Sequence, residues 1–147
     1  MARFLADTSI WSWANTRERP DLRAKLAERV ADDDVVTCVP VALEVMHRAD
    51  STNRYEQLFK ALLDPLDWLA FTEEATWRAM EVQQGLASTS DGAHRRPPID
   101  FFIAAIAEVH DDVVLWAFDN DYRVISGFTG QPTELEESPA PGHQRPT

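Results

Sequence analysis

The 147-residue sequence predicts an α/β fold, a three-layer α/β/α sandwich in which helices cover both faces of a central, mostly parallel sheet. Segments with the composition of strands alternate along the chain with segments in which apolar residues recur at a helical period. The strand segments are nearly continuous apolar runs, as expected where both faces of a parallel strand are covered. With 44% apolar residues, a chain of this length is sufficient for one domain with a hydrophobic core.

The first half of the chain predicts two strands, each followed by helices. Arg3–Ala6 is a short apolar strand, and it is followed by residues that can cap a helix. Helical patterns cover residues 10–14 and 20–30, the second with a proline near its start. The β-branched run 35–39 is typical of a buried strand, and the following proline opens a helix over 40–48.

The second half predicts the remaining elements and the end of the domain. Their order is helix 51–63, strand 68–71, helix 72–86, helix 99–109, strand 113–118 and a short helix that starts at Asp119. After Thr133 the sequence is polar and rich in proline. We therefore expect the folded domain to span residues 1–133 and residues 134–147 to form a disordered tail.

Composition and charge limit the class of protein. The sequence contains no apolar run of about 20 residues, the length that a bilayer-spanning helix needs. The single cysteine, Cys38, cannot form an internal disulfide, and its apolar neighbours indicate a small buried residue. We therefore expect a cytoplasmic protein that does not contact a membrane. The net charge of −11 neither supports nor excludes RNA, because the acidic residues are concentrated in the second half of the chain.

Four acidic residues are placed where a parallel sheet gathers its ligands, beyond the carboxyl ends of the strands. Asp7 directly follows the first predicted strand, and Asp119 directly follows the last one. Asp100 lies in the first turn of an apolar helix, and Glu44 lies one turn into the helix after the second strand. We expect the four carboxylates to converge at one edge of the sheet.

Each acid also has an ordinary explanation. Asp7, Asp100 and Asp119 can each cap a helix or complement its dipole. Glu44 can lie on a solvated helix face, and Asp121 is most simply a second acid in a first turn. These explanations account for the residues singly but not for their joint placement. Oxygen ligands without His or Cys select hard cations, so the set predicts Mg²⁺ or Mn²⁺ and the chemistry of a nuclease.

Other site chemistries find little support in the sequence. There is no Gly-rich phosphate loop and no nucleophile elbow. Cys38 has no evident base partner. The four histidines share no metal-ligand spacing and are expected at the surface: His47, His94, His110 and His143.

Four segments of the chain together resemble the motifs of one family. They are Leu5-Ala6-Asp7-Thr8-Ser9, Val41-Ala42-Leu43-Glu44-Val45, Ile99-Asp100-Phe101-Phe102-Ile103-Ala104-Ala105-Ile106-Ala107 and Asp119-Asn120-Asp121-Tyr122-Arg123-Val124-Ile125. In order and separation they resemble the PIN-domain toxins of bacterial toxin–antitoxin pairs, the VapC-like ribonucleases, over roughly residues 3–133. The resemblance implies a PIN-like sandwich, cleavage of single-stranded RNA with Mg²⁺ or Mn²⁺, a homodimer, and inhibition by a small VapB-like antitoxin.

The resemblance and the acid chemistry together suggest roles for the site residues. We expect Asp7 and Asp100 to hold the principal metal ion, with Asp119 and Asp121 in support, and Glu44 to orient or deprotonate the attacking water. Two hydroxyl residues would position a carboxylate or phosphate, and two basic residues next to the Asp100 helix would guide the RNA backbone. These are Ser9 and Thr8, and Arg95 and Arg96.

Three rival hypotheses stay open at this stage. The chain can be a non-catalytic PIN fold that binds RNA or protein, or a housekeeping RNA-processing nuclease. A phosphatase with Asp7 as covalent nucleophile is weaker, because it needs a second acid at the position of Ser9. The amphipathic helices over 10–30 and 51–63 can receive an antitoxin helix, although core packing explains their apolar faces equally well.

Overall fold

A computed structural model describes residues 1–89 and 91–137, with the backbone alone described for Asp119 and Asp121. Its elements follow one another in the order β1 (Arg3–Ala6), α1 (Thr8–Ala14), α2 (Pro20–Ala31), β2 (Val35–Thr37), α3 (Val39–Met46), α4 (Thr52–Leu58), β3 (Asp67–Trp68), α5 (Glu73–Ala87), α6 (Pro98–Glu108), β4 (Val113–Phe118), α7 (Asp119–Thr129) and β5 (Thr133–Glu136). A π-helical turn, Phe59–Leu63, continues α4. The predicted alternation of strands and helices is therefore present.

The strands of the described residues form one five-stranded sheet in the order β3–β2–β1–β4–β5, with each neighbouring pair parallel. The chain runs outward from β1 through β2 to β3, and it then returns to β4 on the other side of β1. The strand order therefore reverses beside β1. In open parallel sheets such a reversal opens a crevice at the carboxyl ends of the strands.

Helices pack against both faces of the sheet, because successive strand residues point to opposite faces. Leu5 and Leu115 belong to a hydrophobic cluster shared with α5, α6 and α7. Ala6 and Trp116 belong to a second cluster, shared with α1 and α2. The three-layer α/β/α sandwich predicted from the sequence is thus confirmed.

Local sequence signals start and end several helices as expected. The side chains of Asp7, Ser51 and Thr72 accept hydrogen bonds from backbone N–H groups in the first turns of α1, α4 and α5. Helix α7 ends at Gly130, whose φ of 71° is the left-handed conformation that glycine adopts most readily. These caps fix the residues at which the helices begin and end.

The expected domain boundary at residue 133 is wrong. Residues 134–136, assigned from the sequence to a disordered tail, lie in β5 and pair with β4 from Trp116 to Phe118. The alternating acids of β5 gave the segment its polar character, and they are held by basic side chains of α2, such as Arg29. The expectation of a disordered tail for 138–147 lies outside the described residues.

None of the helices in residues 1–89 and 91–137 combines the length and the apolar character that crossing a membrane requires.

Candidate active site

Asp7 lies at the carboxyl end of the central strand. Its backbone N–H donates to the Trp116 carbonyl at 2.9 Å, which fixes the end of β1 beside the end of β4. The carboxylate is only 1% exposed. Its Oδ2 atom accepts hydrogen bonds from the Ser9 hydroxyl at 2.6 Å and from the Ser9 N–H at 3.1 Å. Ser9 therefore lies where the sequence hypothesis needs it, in contact with a carboxylate.

A single tyrosine hydroxyl joins Asp7 to Asp100. Asp100 lies in the first turn of α6 and is 7% exposed, and Tyr122 is a fully buried residue of α7. The Tyr122 hydroxyl lies 2.7 Å from Asp7 Oδ1 and 3.4 Å from Asp100 Oδ1. The two carboxylate oxygens therefore cannot be further apart than the sum of those two distances. Since the hydroxyl has one proton, it donates to one oxygen at a time, and the shorter contact is to Asp7.

Glu44 reaches the same edge of the sheet from α3. Its Oε1 atom accepts a hydrogen bond from the Thr8 hydroxyl at 2.9 Å, and Thr8 is the next residue after Asp7. The glutamate is half-buried, so its carboxylate also has access to solvent. The Tyr122 hydroxyl thus joins Asp7 to Asp100, and the hydroxyl of Thr8, the residue after Asp7, holds Glu44.

Two predicted acids lie in the part of α7 whose side chains are not described. Helix α7 begins at Asp119, directly after β4, so its backbone starts at the same edge of the sheet as Asp7. The carboxylates of Asp119 and Asp121 fall outside the described side chains, and their contribution to the site stays a prediction.

The two predicted RNA-binding arginines differ in their environment. Arg96 Nη2 donates to the Asn120 carbonyl at 2.9 Å, so its guanidinium is held against the first turn of α7. Arg95 is exposed. Arg96 therefore lies on the β4 side of Asp7, and the roles of both arginines stay predictions.

A cavity of about 430 Å³ opens beside Glu44, between α1 and α3. Three hydroxyl residues of α1 line one wall, and α3 with the two residues that follow it lines the other. The lining residues are Thr8, Ser9, Ser12, Leu43, Glu44, His47 and Arg48. Arg48 Nη2 donates to the Ser12 hydroxyl at 2.9 Å and so connects the two walls.

The carboxylate oxygens of Asp7 and Asp100 are ligands that suit a hard divalent cation. Among the side chains that the structure describes, no three acidic, His or Cys groups gather closely enough to hold a metal ion. Mg²⁺, however, is usually held by only one or two carboxylates and completes its shell with water and phosphate oxygens. Asp7 and Asp100, joined through one hydroxyl, provide such a pair.

Cys38 offers no alternative metal chemistry beside this pair. Burial, together with the nearby negative charge of Asp7, raises the pKa of the Cys38 thiol to about 12. The thiol is therefore protonated at neutral pH, whereas a thiolate is the form that binds a metal. This agrees with the prediction from sequence that Cys38 is a small buried residue.

The sequence hypothesis gave no role in the site to Tyr122, Ser12 or Arg48, among others. A usable signal existed for Tyr122, because it lies three residues before the buried Ile125 and therefore on the inner face of α7. A buried tyrosine hydroxyl needs a hydrogen-bond partner, and the acids expected nearby from sequence were those at the strand ends. Ser12 and Arg48 carry no such signal, since their contact depends on how α1 and α3 pack.

Fold and site together define a class of protein: an α/β/α sandwich with buried acids at the carboxyl edge of a parallel sheet. The PIN domain family model matches residues 4–127, and the chain belongs to this family. The resemblance inferred from the four motifs is therefore confirmed.

Relatives and solved structures agree with this assignment. The chain is 36% identical to Ribonuclease VapC18 of Mycobacterium tuberculosis, over 89% of this chain and 93% of that protein. It is 32% identical to Ribonuclease VapC51 of the same organism, over 90% and 91%. Its fold is similar to a chain of the DNA-bound VapBC of Salmonella typhimurium, with a TM-score of 0.68 and 18% identity over 92% and 98% of the two chains. Its fold is also similar to a chain of VapBC2 from Rickettsia felis, with a TM-score of 0.65 and 16% identity over 92% of this chain and 98% of that chain.

Proposed function

We propose that this PIN-domain protein is a metal-dependent endoribonuclease and the toxin of a toxin–antitoxin pair. The observation that carries the proposal is the pair of buried carboxylates, Asp7 and Asp100, held by the Tyr122 hydroxyl where the strand order reverses. Two relatives at 36% and 32% identity are named ribonucleases, which supports phosphodiester hydrolysis in RNA.

The acids have separate tasks in this proposal. Asp7 and Asp100 hold Mg²⁺ or Mn²⁺, with support from Asp119 and Asp121. When bound, such an ion supplies positive charge to the phosphodiester under attack and makes water a better nucleophile. Glu44 accepts the proton of the attacking water, since its carboxylate is half-buried and is oriented by the Thr8 hydroxyl.

Single-stranded RNA is the substrate that we propose. Sequence-tolerant binding of a single strand needs basic groups along the backbone path. Arg96 is held at the start of α7, which begins at the same edge of the sheet as Asp7, and the exposed Arg95 adjoins it. A strand that passes over the carboxyl edge of the sheet would meet both residues before it reaches the acids.

A small VapB-like antitoxin is the partner that we propose, together with a homodimer of the toxin. The solved structures with a similar fold come from VapBC complexes. An apolar groove of about 310 Å³ supports a helical ligand, because it lies between α1, α2 and the π-helical turn that follows α4. Trp11, Val30 and Leu62 are among its lining residues. The lining residues belong to the segments 10–30 and 51–63, whose apolar faces can receive an antitoxin helix or serve in core packing. A cytoplasmic location stays a prediction.

The proposal is tested by replacing each acid of the pair with its amide. Asp7→Asn and Asp100→Asn keep side-chain size and remove a buried negative charge, so both variants should stay folded. We expect the rate of Mg²⁺- or Mn²⁺-dependent RNA cleavage to fall by about a thousandfold or more. A titration followed by Mn²⁺ electron paramagnetic resonance should show that the tight site is lost.

Asp112→Asn is the matched control. Asp112 is an exposed aspartate that pairs with Arg3 at the amino end of β1, on the edge of the sheet opposite Asp7. This variant should cleave RNA and bind Mn²⁺ like the wild type. If the wild type takes up no Mn²⁺ and cuts no RNA, the protein is a binding module of the PIN fold, and the enzymatic proposal is wrong.

A further inference from the structure

The cavity beside Glu44 has the composition of a nucleotide-binding site. Its volume of about 430 Å³ lies within the range of small-molecule sites. It combines hydroxyl groups, an imidazole, a guanidinium and the Glu44 carboxylate with the exposed apolar surface of Leu43. Proteins hold the splayed bases of single-stranded RNA by stacking on histidine, aromatic or arginine side chains, and they hold phosphate oxygens through arginine.

From this composition we infer that the cavity binds the nucleotide next to the cleaved phosphodiester, with Arg48 on its phosphate and His47 beside its base. The inference rests on the proposed ribonuclease function and adds a substrate subsite to it. It assigns binding roles to His47 and Arg48, which the hypothesis from sequence did not use.

The conformation of Arg48 is fixed by α1. Ser12 is 8% exposed and accepts the hydrogen bond from Arg48 Nη2, so the guanidinium is held at the cavity wall. An arginine that is already ordered loses less conformational entropy when it binds a phosphate. Ser12 is thus a positioning residue, which acts on the RNA through Arg48.

The topology places the subsite along a path that one RNA strand can follow. Arg48 follows α3, the helix after β2, whereas Arg96 contacts the helix after β4. Because β1 lies between β2 and β4, Asp7 lies between the two arginines along the carboxyl edge of the sheet. A single strand crossing this edge would meet a cation on each side of the acids, which offsets the repulsion between these acids and the phosphates.

The rival explanation is that Arg48 merely ties α1 to α3. A tie of this kind contributes to stability, but it does not change how RNA binding depends on salt. Each phosphate contact adds about 0.7 to the slope of log affinity against log salt concentration for a single strand. The salt dependence of RNA affinity therefore separates the two explanations.

The experiment measures binding of a fluorescein-labelled single-stranded RNA oligonucleotide by anisotropy, in Ca²⁺ and over a range of KCl concentrations. Arg48→Gln should weaken binding about tenfold and lower the salt slope by about 0.7. Arg48→Lys should restore the slope, because the charge is kept. Ser12→Ala should weaken binding less than Arg48→Gln while the slope stays close to that of the wild type.

Arg3→Gln is the matched control, since it removes the same charge from an exposed ion pair at the opposite edge of the sheet. If Arg48→Gln matches Arg3→Gln in affinity and slope while the wild type cleaves RNA, the subsite is refuted and the ribonuclease proposal stands. The subsite is refuted in the same way if Arg48→Gln weakens only the binding of a protein partner. If the wild type neither binds nor cleaves RNA, both proposals fall.

Discussion

The molecule holds carboxylates in two contrasting ways, at the site around Asp7 and Asp100 and at the α2–β5 cluster. We define that cluster as Lys25, Arg29, Glu134 and Glu136. Arg29 binds both carboxylate oxygens of Glu134, at 2.7 and 2.9 Å. Lys25 Nζ lies 2.8 Å from Glu136 Oε1 and 3.0 Å from Glu134 Oε2. In this cluster, positive charge meets negative charge directly.

At Asp7, the donors that contact the carboxylate include neutral groups. They are the hydroxyls of Ser9 and Tyr122 and one backbone N–H. Neutral donors orient a carboxylate and satisfy its hydrogen bonds, but they do not cancel its charge. The contrast indicates that the α2–β5 cluster serves to fasten an edge strand, whereas the hydroxyl and N–H donors at Asp7 fix the orientation of its carboxylate.

Two aromatic rings also contact the α2–β5 cluster. The Arg29 guanidinium lies 3.8 Å from the ring centre of Phe4 and 4.4 Å from that of Trp116. The Trp116 indole N–H also donates to Glu136 at 3.1 Å. The α2–β5 cluster is therefore part of the packing between α2 and the sheet, and its loss should lower stability without altering the acid pair.

The largest effect on metal binding, short of removing an acid, is expected from Tyr122→Phe. Loss of the hydroxyl removes the group that joins Asp7 to Asp100 while the ring stays in the core. Removal of a group that orients a metal ligand typically costs about 10- to 100-fold in metal affinity. We expect Mn²⁺ binding to weaken by at least about tenfold, and the free energy of unfolding without metal to fall by about 1–2 kcal/mol.

Tyr55→Phe makes the same chemical change at the chain's other tyrosine, which is 44% exposed. Titration with Mn²⁺ should show no difference between this variant and the wild type. Equal metal affinity in Tyr122→Phe and Tyr55→Phe would mean that the Tyr122 hydroxyl only stabilises the fold. The proposed contrast would then fail at the Asp7 site, because its tyrosine hydroxyl would have no effect on metal binding.

Arg29→Ala tests the role given to the α2–β5 cluster, which is to fasten the edge strand β5. It removes a two-point ion pair and the cation that lies over the rings of Phe4 and Trp116, so we expect the free energy of unfolding to fall by about 2 kcal/mol. Urea titration measures this loss, and the affinity for Mn²⁺ should be unchanged. Arg23→Ala, on the same helix, removes a guanidinium that donates to the Ala14 carbonyl and should cost about 1 kcal/mol or less. Equal losses in the two variants would contradict the role given to the cluster.

Most of the fold was predictable because three of its strands, β1, β2 and β4, are largely apolar and mostly buried. Val113–Phe118 and its neighbour Arg3–Ala6 are strands in the structure as the sequence indicated. β5 was missed because its side chains alternate acids with few apolar residues, and a polar segment before a proline-rich stretch is typical of a tail. Its place in the sheet depends on contacts with α2, which lies more than a hundred residues earlier.

The site could be predicted only for side chains whose position is set by their close neighbours in the sequence. Asp7 had to lie at the end of β1, and Ser9 had to lie near it, because one residue separates them on a helix start. The contact of Tyr122 with both acids, and of Arg48 with Ser12, depends on how the helices pack on the sheet. Spacing along the chain does not encode such distances.

The smallest expected effect concerns how the α2–β5 cluster responds to acid. Burial raises the pKa of Glu134, but hydrogen bonds and charges from Arg29 and Lys25 outweigh it and hold this pKa below 4.5. Because the pKa is lower in the folded state than in the unfolded chain, the ionised Glu134 stabilises the fold above pH 4.5, and this stabilisation disappears as the pH falls through the lowered pKa. The difference in unfolding free energy between the wild type and Glu134→Gln should therefore be constant near neutral pH and shrink in acid. Urea titrations across that range measure it, and a difference that does not change with pH would show that Glu134 acts through packing, not through its charge.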